Sequence, residues 1–88
     1  MKYHVEFTES ARKELKKLDK YTQKIILLWL NKNLEGCEDP RVHGKPLTAD
    51  RAGQWIYKIG IYHLSVRLEA SSIIILSIAS GLRNETNK

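Results

Sequence analysis

The segment Gln54–Leu68 constrains the fold of this chain more than any other, because its sequence is QWIYKIGIYHLSVRL. Apolar and mixed positions alternate on both sides of Gly60, which indicates two β-strands joined by a tight turn. Side chains of a strand point alternately to its two faces, so each strand has one apolar and one mixed face. The apolar face must be buried, and the helical segments earlier in the chain can bury it. The mixed face carries Lys58, His63 and Arg67, and we take it as the candidate working surface.

Periodicity predicts the rest of the chain around this hairpin. The predicted segments are a strand over Lys2–Phe7, a helix that follows an N-cap at Thr8, a helix over Lys20–Leu34, a loop over Glu35–Asp50 and a strand over Ile73–Ser80. This order predicts an α+β fold, β-α-α-β-β-β, in which two N-terminal helices pack on one face of a four-stranded, mainly antiparallel sheet. At 88 residues, we expect residues 1–88 to form a single domain.

The second predicted helix is apolar around more of its circumference than one core contact requires. Four-residue spacing assigns its core stripe to Thr22, Ile26, Leu30 and Leu34. Ile25, Leu28 and Trp29 lie well around the helix from that stripe. Two interpretations stay open: the helix has a broad core face, or these three residues form a second face that binds a partner.

Composition limits the class of protein without identifying it. The formal net charge of +5 suits an anionic partner such as nucleic acid, although solvated surface lysines give the same value. Cys37 is the only cysteine, so an internal disulfide is excluded, and a lone thiol fits a reducing compartment. The longest apolar run, Ile25–Leu30, is far shorter than the ~20 residues that span a bilayer. We therefore predict a cytoplasmic protein with no membrane partner.

Four segments in order carry a resemblance to a known family: FTESARKELKKLDK, PRVHGKPL, GQWIYKIGIYHL and a late strand that ends in GLR. The chain resembles the RelE/ParE superfamily of toxins from type II toxin–antitoxin pairs, and its RelE-like branch looks nearer. The resemblance implies the RelE-like fold and a ribosome-dependent endoribonuclease, an mRNA interferase. In such a toxin the mRNA 2′-hydroxyl attacks the adjacent phosphate without a metal or cofactor. It also implies three partners: an acidic, RelB-like antitoxin, in some cases in a heterotetramer, the ribosome and mRNA.

The family's site positions match this chain only in part. Lys58 and Arg83 keep a basic residue, and His63 stands where relatives typically carry arginine. The resemblance therefore implies Arg83, His63 and Lys58 as catalytic residues. Contacts to RNA are expected from Lys45, Arg41 and Arg67, since any cation on this rim can meet a phosphate, and from Asn87, which stands at the position of a family tyrosine.

Two departures weaken the expected chemistry. Ile56 stands where relatives commonly have a cation, and Asn87 replaces a common tyrosine. Loss of one well-placed group that stabilises charge typically costs about 10²–10³ in rate, so we expect attenuated activity. In compensation, the imidazole of His63 can move a proton near neutral pH.

Three functions therefore stay open at this stage. The first is an mRNA-cleaving toxin of the RelE type. The second is a ParE-like inhibitor of DNA gyrase, which needs a binding surface and no catalytic residues. The third is an inactive homologue that still binds its antitoxin. All three predict an antitoxin over Ile25, Leu28 and Trp29.

Overall fold

A five-stranded mixed sheet with the strand order β1-β5-β4-β3-β2 forms one layer of the fold. The computed structural model describes residues 2–46 and 54–80. Its elements are β1 His4–Phe7, α1 Glu9–Lys16, α2 Lys20–Asn33, a 3₁₀ helix over Pro40–His43, β2 Lys45–Pro46, β3 Gln54–Ile59, β4 Tyr62–Glu69 and β5 Ser72–Ser80. Strand β1 pairs in parallel with β5, and the other neighbours pair antiparallel.

The predicted α+β class and the order of the two helices are confirmed, but the predicted count of four strands is wrong. The additional strand is β2, whose two residues lie within the segment predicted to be loop. Lys45 pairs with Ile56 and Pro46 with Trp55, at the edge of the sheet. Two residues are too few for alternation to show, so this strand forms through its pairing with β3 and leaves no periodic signal.

The core lies between the two helices and one face of the sheet. Its buried members are Ala11, Leu15, Ile26, Leu30, Leu34, Tyr57, Ile59, Leu64, Val66, Ile73, Ile75 and Ile78. Strand residues in this set alternate with half-buried or exposed neighbours, and Lys58 and Arg67 are exposed. The predicted faces of the β3–β4 hairpin and most of the predicted stripe of α2 are therefore confirmed; Thr22 is only half-buried.

Side-chain caps determine where both helices begin. The Thr8 hydroxyl oxygen accepts a hydrogen bond from the Ala11 amide at 3.1 Å and donates one to the Ile75 carbonyl at 3.0 Å, which ties α1 to β5. At α2, the Asp19 carboxylate accepts from the Thr22 hydroxyl at 2.6 Å and from the Thr22 amide at 3.2 Å. These bonds to Thr22 lower the pKa of Asp19 from its ordinary value. Each cap satisfies an amide that the first turn leaves unpaired.

The segment after α2 covers the outer edge of β1. The Tyr3 amide donates to the Cys37 carbonyl at 2.9 Å, and the Gly36 amide donates to the Tyr3 carbonyl at 2.7 Å. Glu35 accepts from the Val5 amide at 2.8 Å and lies 2.7 Å from His4 Nδ1. An edge strand whose backbone groups are paired in this way is poorly available to another chain. The hydrogen bond from Val5, and then that from His4, lowers the pKa of Glu35.

No helix in the described ranges is long and apolar enough to cross a lipid bilayer.

The Glu35 carboxylate gives a pH-dependent prediction for stability. A carboxyl group with a lowered pKa stabilises the fold above its unfolded-state pKa, about 4.3, and this contribution is lost as pH falls through the lower, folded-state value. Glu35→Gln keeps an oxygen for the Val5 amide and removes the charge. We expect its free energy of unfolding to be lower than that of the wild type at neutral pH, with a difference that shrinks on acidification.

Urea unfolding over a pH series measures this difference. Glu38→Gln, a neighbouring exposed position, is the control and is expected to show little effect at any pH. A Glu35→Gln deficit that persists unchanged at acidic pH would contradict the role given to the charge.

Candidate nucleic-acid interface

The face of the hairpin opposite the core carries polar groups in a fixed register. Lys58 pairs directly with His63, Ile56 with Ser65 and Gln54 with Arg67. Directly opposed residues have Cβ atoms about 4.5–5.5 Å apart, so Lys58 and His63 are immediate neighbours. The same alternation that buries Tyr57 and Leu64 therefore places this ammonium and this imidazole together on the uncovered side.

A surface cleft of about 530 Å³ opens beside this pair. It is lined by Val42, His43, Gly44, Lys45, Pro46, Ile56, Lys58 and His63. Lys45 lies opposite Ile56 in the ladder, and Lys58 is two positions further along the same strand. Diagonal neighbours of this kind are about 7–8 Å apart. The side chains of two lysines and one histidine thus surround Ile56.

Tyr57 holds the loop that forms one wall of this cleft. Its hydroxyl donates a buried hydrogen bond of 2.7 Å to the Pro40 carbonyl, at the start of the 3₁₀ helix. Its ring lies beneath Gly44, where an added Cβ would be 2.7 Å from Tyr57 Cε1 and 2.9 Å from the Ile56 carbonyl oxygen. Glycine is therefore required for the close approach of this loop to β3. Burial raises the pKa of Tyr57 well above its ordinary value, so its hydroxyl stays a donor.

Trp29 connects helix α2 to the same wall. Its ring centroid is 6.0 Å from that of Tyr57 and 6.3 Å from that of His43, with an edge-on geometry toward the imidazole. Trp29 is half-buried and packs against the core. The loop that forms the cleft wall is therefore held in part by packing against helix α2.

The basic side chains of the cleft are free of ion pairs with the described carboxylates. The ion pairs found within residues 2–46 and 54–80 are His4–Glu35, Arg41–Asp39 and Arg67–Glu69, and none includes Lys45, Lys58 or His63. An anion that enters the cleft therefore meets lysine charge that none of the described carboxylates neutralises. No cluster of three or more metal-ligating side chains occurs in these ranges.

The predicted site residues separate into three groups. Lys45, Lys58 and His63 come together in the cleft. Arg67 shares their face but lies four residues beyond His63, about 13 Å along the strand, and contacts Glu69 at 3.5 Å. Arg41 is 3.4 Å from Asp39 and does not line the cleft. Arg83 and Asn87 lie outside the described residues.

Sequence reasoning overlooked Val42, His43 and Ile56 as part of the site. The first two belong to the PRVHGKPL segment, for which the sequence predicts a loop, and along the sequence Ile56 indicates only a missing cation. The glycine and the proline that flank Lys45 mark this segment only as a turn or loop, so no local signal indicates its pairing with β3.

The residues of α2 that were predicted to bind a partner differ in exposure. Leu28 is 58% exposed, Ile25 is 40% exposed and Trp29 is half-buried. Tyr21, which was not among the predicted residues, is 73% exposed on the same helix. We call the exposed set Tyr21, Ile25 and Leu28 the α2 ridge. Lys20, Lys24 and Lys32 line the shallow grooves beside Leu28.

Comparison with known proteins identifies the family. The model of the ParE toxin family of type II toxin–antitoxin systems matches residues 5–85. The chain belongs to this family. It is a toxin of the RelE/ParE superfamily, and its fold is RelE-like. No curated protein sequence matches the chain.

Solved structures of relatives share this fold. The toxin–antitoxin complex RelBE2 from Mycobacterium tuberculosis matches with a TM-score of 0.78 at 28% identity, over 91% of this chain and 92% of that one. A double mutant of the Escherichia coli toxin RelE in the free state matches with a TM-score of 0.74 at 22% identity, over 99% and 92%. A chromosomal ParDE system from Pseudomonas aeruginosa matches with a TM-score of 0.63 at 13% identity, over 89% and 95%.

The wall of the cleft gives a second prediction. In Tyr57→Phe, the buried Pro40 carbonyl loses its donor while the ring still packs, and an unsatisfied buried group costs about 1–3 kcal/mol. We expect a loss of that size in the free energy of unfolding, measured by urea denaturation. Tyr21→Phe removes a hydroxyl from a ring that is 73% exposed and is expected to change little. Equal stability of the two variants would contradict the anchoring role of Tyr57.

Proposed function

We propose that this toxin cleaves mRNA on the ribosome, as the RelE-like branch does. One observation carries the proposal: Lys45, Lys58 and His63 line one cleft on the open face of the sheet and have no carboxylate partner among the described residues. Such a cleft suits a phosphodiester, which brings one negative charge and accepts hydrogen bonds from both side-chain types.

The proposed reaction is an internal transfer at one phosphate. The mRNA 2′-oxygen forms a bond to phosphorus and loses its proton, and the bond from phosphorus to the 5′-oxygen breaks as that oxygen gains a proton. The Lys58 ammonium stabilises the charge that develops on the phosphorane. The His63 imidazole moves one of the two protons. Arg83 is proposed as a further cation, and Lys45, Arg41, Arg67 and Asn87 as contacts to flanking RNA.

The proposed activity is weak. Ile56 supplies no charge at a place where the resemblance implies a cation, and one missing stabiliser of this kind costs about 10²–10³ in rate. The ribosome compensates by holding the mRNA in place, because a fixed geometry lowers the entropic part of the barrier.

Mapping of mRNA ends on programmed ribosomes tests this function. We expect cuts in the A-site codon that depend on the toxin. His63→Ala and Lys58→Ala are each expected to lower the rate by about 10²-fold or more. His4→Ala, a histidine on β1 outside the cleft, is the matched control. If wild-type protein produces no A-site cut at high concentration, the nuclease function is wrong.

A second candidate function is inhibition of DNA gyrase. It is favoured by the match to the ParE toxin family model and by the apolar Ile56, since inhibition by binding needs no catalytic cation. Inhibition of DNA supercoiling by the purified toxin, unaffected by His63→Ala, would support it. A toxin that changes neither mRNA nor supercoiling, and still binds an antitoxin, would be the inactive homologue.

We also propose an acidic, RelB-like antitoxin as the partner of the α2 ridge. The ridge combines exposed apolar side chains with Lys20, Lys24 and Lys32, which suits an amphipathic helix with acidic flanks. Trp29 is proposed as a contributor at the border of the ridge. A toxin–antitoxin heterotetramer in the cytoplasm is the assembly that the resemblance implies.

Leu28→Ala tests this surface better than a change at Trp29, because Trp29 also packs against Tyr57. Loss of the Leu28 side chain from an interface is expected to weaken antitoxin binding by roughly 1–3 kcal/mol, measured by isothermal titration. Ile61→Ala is the control, since Ile61 is 44% exposed in the β3–β4 turn. Equal antitoxin affinity of the two variants would place the antitoxin elsewhere.

A further inference from the structure

The lining of the cleft combines basic and aliphatic side chains. Lys45, Lys58 and His63 are basic, whereas Val42 and Ile56 are aliphatic and lie beside them. Val42 is 74% exposed at the end of the 3₁₀ helix. A single exposed valine is ordinary, but here it lines the same concave surface as a second aliphatic side chain and three basic ones.

The ladder fixes the distances between Ile56 and the basic residues. Ile56 lies directly opposite Lys45, and it lies diagonal to His63 and two residues from Lys58 on β3. These spacings are about 5–8 Å. A ligand whose anionic group lies between Lys58 and His63 can therefore contact Ile56 with a rigid group about 5–8 Å away. A nucleotide has this arrangement, with its phosphate as the anion and its base as the rigid group.

We propose that this cleft is a subsite for one unpaired ribonucleotide, with the phosphate at Lys58 and His63 and the base against Val42 and Ile56. The inference rests on the proposed function and deepens it, because it assigns to the toxin's own side chains a contact with the base. The cleft volume of about 530 Å³ lies within the roughly 300–1,000 Å³ of small-molecule sites. Every base has an apolar face, so such a contact accepts any base and rejects an abasic sugar phosphate.

A protein segment suits this cleft less well. It would have to bring an acidic side chain to Lys45, Lys58 and His63 and an apolar one to Val42, whereas one nucleotide supplies both groups in a single unit. The α2 ridge also offers a larger apolar surface for a protein partner, with Tyr21, Ile25 and Leu28 exposed.

The test is a titration of the full-length toxin, without ribosomes, with adenosine 5′-monophosphate and with ribose 5-phosphate. The two probes share their sugar and phosphate and differ only in the base. The methyl signals of Val42 and Ile56 and the imidazole signals of His63 report binding by nuclear magnetic resonance. We expect both probes to shift His63, only the nucleotide to shift the methyl groups, and the nucleotide to bind about 5- to 10-fold more tightly.

Two substitutions at Val42, one to a smaller and one to a larger side chain, provide a second test. Val42→Ala is expected to weaken the nucleotide about 3- to 5-fold, as the loss of buried methyl groups predicts, and to leave ribose 5-phosphate unchanged. Val42→Phe adds a ring for stacking and is expected to strengthen the nucleotide at least about 5-fold. Ile61→Ala, outside the cleft, is the matched control for both.

The subsite would be overturned by equal affinity for the two probes, by methyl signals that do not respond to the nucleotide, or by loss of affinity for both probes in Val42→Ala. A partner protein, and not the nucleotide, that shifts the Val42 methyl signals would also overturn it. These results are independent of the nuclease assay. If nucleotide binding depends on the base but mRNA is not cleaved, the subsite is supported and the nuclease function is rejected. If mRNA is cleaved but binding does not depend on the base, the nuclease function is supported and the subsite is rejected.

Discussion

The buried hydrogen bond from Tyr57 to the Pro40 carbonyl is the contact on which the candidate site depends. Tyr57 is a core residue of β3, but its hydroxyl reaches past the core to the 3₁₀ helix, and its ring supports Gly44 and contacts Trp29. One side chain therefore fixes helix α2, the loop and the sheet relative to each other. Without it, the 3₁₀ helix that carries Val42 would lose a buried anchor, whereas Lys45 would still be held by its pairing with Ile56.

Along β3 and β4, alternate side chains therefore face either the core or the candidate site. Tyr57, with Leu64 across the ladder, faces the helices, whereas Lys58 and His63, one position away, face outward. A slip of one residue would exchange these faces, so burial of the core also enforces the register of the site. Gly60, with a φ of +62°, permits the tight turn that sets this register.

Elements that leave a periodic or capping pattern in the sequence are predicted from it, whereas elements that form only through pairing with a distant strand are not. The Thr8 cap, the buried positions Ile26, Leu30 and Leu34 and the faces of the hairpin follow from local patterns and are confirmed. The strand at Lys45 and the aliphatic wall at Val42 depend on contacts with β3, far along the chain. No local pattern predicts that a two-residue segment will pair with Ile56, because only the tertiary fold brings β3 alongside.

The structure changes the interpretation of Ile56. Along the sequence it is a missing cation, which lowers the expected rate. In the cleft it is the aliphatic residue around which Lys45, Lys58 and His63 lie. Apolar side chains exclude water, and a charge pair interacts more strongly as the local dielectric constant falls. Lys45 and Lys58 are exposed to solvent, so this effect is small here, and the main consequence of the isoleucine is an apolar contact in place of a charge. Under the proposed function, such a lining favours placement of a nucleotide over rapid turnover.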